Sequence, residues 1–152
     1  MEKSIIIRPV KTNELPEILQ LCALHAEYER LPFQVNGQVS ALEKDIFSAS
    51  PKLYCLVAEV KGHIIAYATY MKQYATWNAE EYIYLDCLFV IEEFRSDGIG
   101  EELMKQIRKH SAELGCSLMQ WQTPEFNKRA IKFYRRMGAH SKSKERFFLE
   151  VK

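Results

Sequence analysis

A chain of 152 residues, 47% hydrophobic and 27% charged, has the size and composition of one ordinary globular domain with a real core. Its 21 basic and 20 acidic residues leave a net charge of +1, which excludes a global pull toward nucleic acid or a membrane surface. Cys22, Cys55, Cys87 and Cys116 form no C-x-x-C pair, and His25, His63, His110 and His140 form no H-x-x-x-H pair. Reduced, mostly buried thiols and no metal are therefore expected. The apolar run in MEKSIIIRPV is too short for a signal peptide or a membrane span, so the expected compartment is the cytoplasm.

With no repeat, low-complexity tract or linker, residues 1–152 read as a single domain. Ser4 to Arg8 reads as a strand stopped by Pro9, and Thr12 or Asn13 as the cap of a helix beginning near Pro16. The apolar face of that helix is Leu15, Ile18, Leu19 and Cys22. A looser stretch follows, then a short helix with Ser40 as its cap. Leu53 to Val60, the Lys61-Gly62 turn and His63 to Gln73 form a hairpin, and Glu81 to Ile91 a long strand of strict two-residue parity. Residues 99–114 are helical, with Ile99, Leu103, Ile107 and Leu114 on one side and Gly115 at the end. Ser117 to Thr123 is expected as a strand, Asn127 to Met137 as a capped helix, and Phe147 to Val151 as a last strand. The expected fold class is therefore α/β, with a central mixed sheet flanked by about four helices.

The junction FRSDGIGEEL, Phe94 to Leu103, carries the chemistry. A helix amino terminus has unpaired N–H groups and partial positive charge, and glycines there remove side chains that would hold a phosphate away. The run lacks the Gly-Lys-Ser/Thr of a Walker loop, and the third glycine of a dinucleotide fingerprint is replaced by Leu103. On spacing alone, a tight strand-to-helix turn with glycines for backbone reasons fits equally. Asp97 beside a phosphate is unfavourable unless it points to solvent.

Arg95-Ser96-Asp97-Gly98-Ile99-Gly100 resembles the Arg/Gln-x-x-Gly-x-Gly/Ala signature of the GNAT acetyltransferases, which grips the acetyl-CoA pyrophosphate. NKRAIKFYRRMGA, Asn127 to Ala139, is similar to the second signature of that family. Further stretches resemble the spermidine/spermine (diamine) N-acetyltransferase branch, which includes thialysine acetyltransferases: IIIRP, YCLVAEV, YLDCLFV, RSDGIGEEL, FYRRMGA and the Tyr28-Glu29 pair. Two features depart from the branch. Its acidic pair reads Asp86-Cys87 here, and the carboxyl-terminal tail is shorter.

The resemblance implies an acyl-CoA N-acyltransferase fold and direct acetyl transfer from acetyl-CoA, the co-substrate, to a small primary amine in a ternary complex. A protonated amine, with a reference pKa of about 10.4, must lose its proton before attack. Asp86 is the expected proton relay and cation partner, although a structural, salt-bridged carboxylate also fits. Tyr134 is the expected acid toward the departing thiolate, and a packed aromatic is its alternative. The backbone of Leu88, Phe89 and Val90 is expected to stabilise the thioester oxygen and pair with the pantetheine arm. Arg95, Ser96, Asp97, Gly98, Ile99, Gly100 and Glu101 are expected on the pyrophosphate. Asn127, Lys128, Arg129, Ala130 and Tyr134 are expected along the rest of the cofactor. The amine is assigned to Tyr28, Glu29, Asp86, Gln120, Trp121 and Gln122, with Glu29 as a plain solvated residue the alternative. Other acceptors (an aminoglycoside, an amino acid or a protein amine) and a non-catalytic acetyl-CoA sensor remain open readings. The resemblance implies a homodimer, with no nucleic acid and no membrane partner.

Overall fold

The computed structural model describes residues 4–152, which divide into two compact units, 4–122 and 123–152. The first unit holds five strands in the order β1-β2-β3-β4-β5. They are β1 (Ile5–Pro9), β2 (Tyr54–Val60), β3 (His63–Ala75), β4 (Glu80–Val90) and β5 (Met119–Gln120). The first four pair antiparallel and β5 lies parallel to β4, so the sheet is mixed. Three helices join it: α1 (Leu15–Tyr28), α2 (Gln38–Ile46) and α3 (Ile99–Glu113).

The β2–β3 hairpin turns at Lys61 and Gly62, with φ of 51° and 79°. Two left-handed residues give the turn whose twist matches that of paired strands, and a glycine removes the steric cost at one of them. Both faces of the sheet are covered. On one, Leu15, Ile18 and Leu21 of α1 and Val39, Leu42 and Ile46 of α2 pack with Cys55, Val57, Tyr67 and Phe89. On the other, the Tyr70 hydroxyl meets His110 Nδ1 of α3 at 2.7 Å. Ile99, Leu103 and Ile107, spaced i, i+4, i+8, are at most 1% exposed. Each such side chain contributes roughly 1.5–3 kcal/mol through burial.

The start of α1 differs from expectation. Neither Thr12 nor Asn13 caps it; a 3₁₀ turn, Thr12–Glu14, precedes the helix, and Glu14 accepts a hydrogen bond from the Lys11 N–H at 2.8 Å. Glu14 is committed further, because Arg8 Nη2 sits 2.6 Å from its carboxylate and 2.8 Å from that of Glu59. A guanidinium shared by two carboxylates ties β1, β2 and α1 together. α2 likewise starts two residues before Ser40, after Gly37.

The hydrogen bond from Arg8 holds Glu14 below the ordinary carboxylate range, against the opposing effect of burial. The folded chain therefore binds fewer protons at this site than the unfolded chain. This contribution is complete above the usual glutamate value of about 4.5 and fades as the pH falls through the lower, folded-state value. Glu14→Gln should cost about 2 kcal/mol near neutrality, or roughly 6 °C in Tm, and blunt the acid limb of stability. Thermal melts from pH 7 to pH 3 read this. A wild-type stability that is flat across that range would contradict it.

One strand is interrupted where the sequence shows no break. Thr69 pairs with Cys87 and Tyr70 with Leu85, leaving Asp86 as an extra residue in β4. Residues directly opposite in a ladder point to the same face. Leu85 therefore shares the α3 face with Tyr70, whereas Cys87 and Phe89 share the α1 face with Thr69 and Tyr67. The expected single parity from Tyr82 to Val90 is broken at this bulge. The bulge also limits β5, which was expected over seven residues. β5 meets β4 only at Ile83 and Tyr84 and stops just short of the bend.

The second unit holds α4 (Lys128–Arg136), capped by Asn127, whose Oδ1 accepts from the Ala130 N–H at 3.4 Å. The expected strand Phe147 to Val151 does not form. A strand needs a partner for its backbone groups, and among the described residues none pairs with this segment. Phe147, Phe148, Leu149 and Val151 are each at least 80% exposed.

Candidate active site

β4 makes the centre of the site. From Leu88 to Val90 it pairs with β3 at Ala68, Tyr67 and Ala66. On its other edge, strand pairing ends at Tyr84 among the described residues. Leu88, Phe89 and Val90 thus present backbone beyond the end of β5, and the Val90 carbonyl accepts Arg95 Nε at 2.9 Å. The bulge pushes Asp86 outward, where its side chain is exposed. Bulges commonly re-aim a side chain in this way. The thiol of Cys87 donates to Asp86 Oδ2 at 3.7 Å. Burial, reinforced by the Asp86 charge, pushes the Cys87 thiol up to about 11, so it stays protonated at neutral pH.

The carboxyl end of α1 lies against β4. The Tyr28 ring is 6.4 Å from that of Phe89, and the Arg95 guanidinium lies 4.5 Å from the Tyr28 centroid and 5.3 Å from that of Phe89. Arg95 thereby joins the glycine loop to the helix that carries Tyr28 and Glu29. Glu29 follows α1 directly and accepts from His25 Nε2 at 2.9 Å, so it is not a plain solvated residue. Gln122 Nε2 donates to the Tyr84 hydroxyl at 2.6 Å, Gln120 pairs with Tyr84 in the ladder, and Trp121 is half-buried between them.

At the glycine loop, Ser96 and Gly98 have φ of 73° and 81°. Alternation of this kind turns successive N–H groups to one side, a concavity suited to anions. Gly98 precedes α3 without a side-chain cap, leaving the helix amino terminus open to an external acceptor. Asp97 is exposed, and Glu101 and Glu102 in the first turn are drawn to Lys105 at 4.0 and 3.2 Å. The loop has the donors, the glycines and the field direction that a pyrophosphate requires.

An added Cβ at Gly98 meets nothing within 4 Å, so its requirement is conformational. Gly98→Ala should cost about 1–2 kcal/mol and raise the KM for acetyl-CoA severalfold. Gly62→Ala carries the same backbone cost at the hairpin and should lower Tm alone. Equal KM values in the two variants would break this assignment.

In the second unit, Asn127 is buried and serves as the α4 cap, while Lys128 and Arg129 are exposed. Ala130 and Tyr134 are half-buried, and the Tyr134 ring packs 5.3 Å from Phe133. A cavity of about 360 Å³ lined by Ile7, Tyr54, Tyr70 and His110 includes none of the residues named for the site. Among the described residues, no group of three or more His, Cys, Asp or Glu could hold a metal ion, and no helix is long and apolar enough to cross a membrane.

The acetyltransferase (GNAT) family profile matches residues 17–139. The chain belongs to the GNAT family. It is an acetyl-CoA-dependent N-acetyltransferase. This GNAT chain is 34% identical to thialysine N-epsilon-acetyltransferase of Bos taurus, over 89% of its own length and 84% of the relative's. It is 27% identical to the human spermidine/spermine N(1)-acetyltransferase-like protein 1, over 91% of its length but only 21% of that longer protein. Among solved structures, an aminoglycoside acetyltransferase from an uncultured soil metagenomic sample superposes with a TM-score of 0.81 at 21% identity, covering 97% of both chains. Another aminoglycoside N-acetyltransferase, in complex with CoA, superposes at 0.82 and 17% identity, covering 99% of this chain and 97% of that one. At such identities these superpositions establish the GNAT fold alone.

Sequence reasoning missed His25, which meets Glu29 at 2.9 Å, and Tyr67, whose hydroxyl meets His25 at 2.8 Å. A signal existed for the first: His25 and Glu29 are spaced i, i+4, one helical turn apart.

Proposed function

We propose that this enzyme acetylates a primary amine of a small diamine, polyamine or lysine-like (thialysine) substrate by direct attack with both substrates bound. One structural observation supports the amine class most. The bulge extrudes the Asp86 carboxylate to the surface of a strand whose Phe89 ring meets that of Tyr28 at 6.4 Å. Such a surface attracts a cation through both charge and ring faces. The identity with the bovine thialysine enzyme supports the lysine-like end of this class.

Acetyl-CoA supplies an activated acyl group. Arg95 to Glu101 hold its pyrophosphate, with Asn127 to Ala130 along the rest of the arm. The backbone of Leu88 to Val90 orients the thioester and stabilises charge on its oxygen. Asp86 binds the ammonium and relays its proton, and Tyr134 gives a proton to the departing thiolate. Gln120, Trp121 and Gln122 border the acceptor beside Tyr84. Residues 1–152 act as one domain in a cytoplasmic homodimer.

The test is an acceptor screen in which release of free CoA thiol is followed with spermidine, putrescine, thialysine, lysine, aminoglycosides and peptide amines. The expected result is that thialysine or a polyamine is the best acceptor. Turnover confined to aminoglycosides or to peptide amines would remove this reading.

A further inference from the structure

Glu29 heads a partly buried polar chain whose other members, His25 and Tyr67, the chemistry above does not use. Tyr67 of β3 is 1% exposed, yet its hydroxyl needs partners. One is His25 Nδ1 at 2.8 Å. His25 Nε2 in turn lies 2.9 Å from Glu29 Oε2. The imidazole is clamped, stacked on Phe89 at 5.0 Å and 21° and edge-on to Tyr67 at 5.9 Å and 72°.

Hydrogen-bonding capacity fixes the proton positions in this chain. Burial raises the Tyr67 phenol far above its ordinary value, so its O–H proton is always present. The thiols of Cys22 and Cys87 also reach that hydroxyl and are raised by burial, so they too are protonated. A thiol is a weak donor and a weaker acceptor, so the Tyr67 proton goes to the better acceptor, the imidazole nitrogen. Nδ1 is then the bare nitrogen, Nε2 carries the hydrogen, and that hydrogen is donated to Glu29.

We infer that Tyr67 and His25 are positioning residues for the acceptor: the Tyr67 hydroxyl sets the His25 tautomer, and His25 Nε2–H holds the Glu29 carboxylate as a fixed anion for the substrate ammonium. The inference rests on the amine reading above and names the device that shapes its specificity. The groups that meet the imidazole are Glu29 just after α1, Tyr67 from β3 and Phe89 from β4. The Arg95 guanidinium lies on Phe89 nearby.

Three variants and one spectrum test this. His25→Phe keeps the stack on Phe89 but removes the donor. It should raise the KM for the amine about tenfold, with kcat and the KM for acetyl-CoA within about twofold. His25→Gln, whose amide can still donate to Glu29, should recover most of that affinity. Tyr67→Phe should raise amine KM about threefold. In the free enzyme, long-range 15N–1H spectra, with the His25 signals assigned by their loss in His25→Gln, should show the Nε2–H tautomer. An unchanged amine KM in His25→Phe, or equal losses in kcat, both KM values and Tm, overturns the inference. So does an Nδ1–H tautomer. If no amine is turned over by the wild type, the function reading fails, while the tautomer still decides the arrangement of Tyr67, His25 and Glu29.

Discussion

Tyr134→Phe should lower kcat by about 10²-fold and leave both KM values within about twofold. The phenol, with a reference pKa of about 10, can protonate a thiolate whose conjugate acid lies in a comparable range, so the transfer is not far uphill. Without it the sulfur departs as an unassisted anion. The substitution removes one oxygen and keeps the ring that packs 5.3 Å from Phe133. Steady-state thiol release and a thermal melt decide the matter together. Full turnover in a folded variant eliminates the acid role.

The second large effect is expected at Asp86. Asp86→Asn should reduce kcat/KM for the amine by about 10²–10³ near neutrality, since a cation partner and a proton relay are lost together. The two losses separate with pH. At pH 7 only about one amine in a few thousand is unprotonated, given a reference value near 10.4, so help with the proton matters most there. As the pH approaches 10 the free amine grows abundant, and the gap between variant and wild type should narrow to the binding loss alone. Asp86→Glu should keep both roles. A deficit that stays constant from pH 7 to pH 10 would mean that Asp86 moves no proton. Because Asp86 is exposed, stability should not change in either variant.

The helices and the antiparallel strands were legible because each announces itself locally. The stripe of Ile99, Leu103 and Ile107 has helical period, and Lys61-Gly62 is a hairpin signal between two β-rich runs. The open helix terminus after Gly98 was legible for the same reason, since its cause is confined to six adjacent residues. Features set by pairing were not. The bulge depends on how Thr69 and Tyr70 meet Cys87 and Leu85, and nothing in YLDCLF marks an extra residue. The strand expected at Phe147 has the right composition, but composition cannot supply the neighbour a strand requires. In the site, the sequence left Glu29 open between amine partner and solvated residue, because Tyr67, the anchor of its partner His25, lies 42 positions away from that histidine.

The extra residue in β4 also shapes how this enzyme can change over generations. Swapping the side chain at position 86 leaves the register of the flanking residues intact, so acceptor chemistry can drift one replacement at a time. Deleting that residue would leave Leu85 and Cys87 as neighbours on opposite faces, as regular pairing with Tyr70 and Thr69 requires, so the imidazole's stacking surface on Phe89 stays toward α1. The carboxylate is thus an addition to a ladder that closes without it, and the substrate range can diversify by loss at this point as well as by substitution.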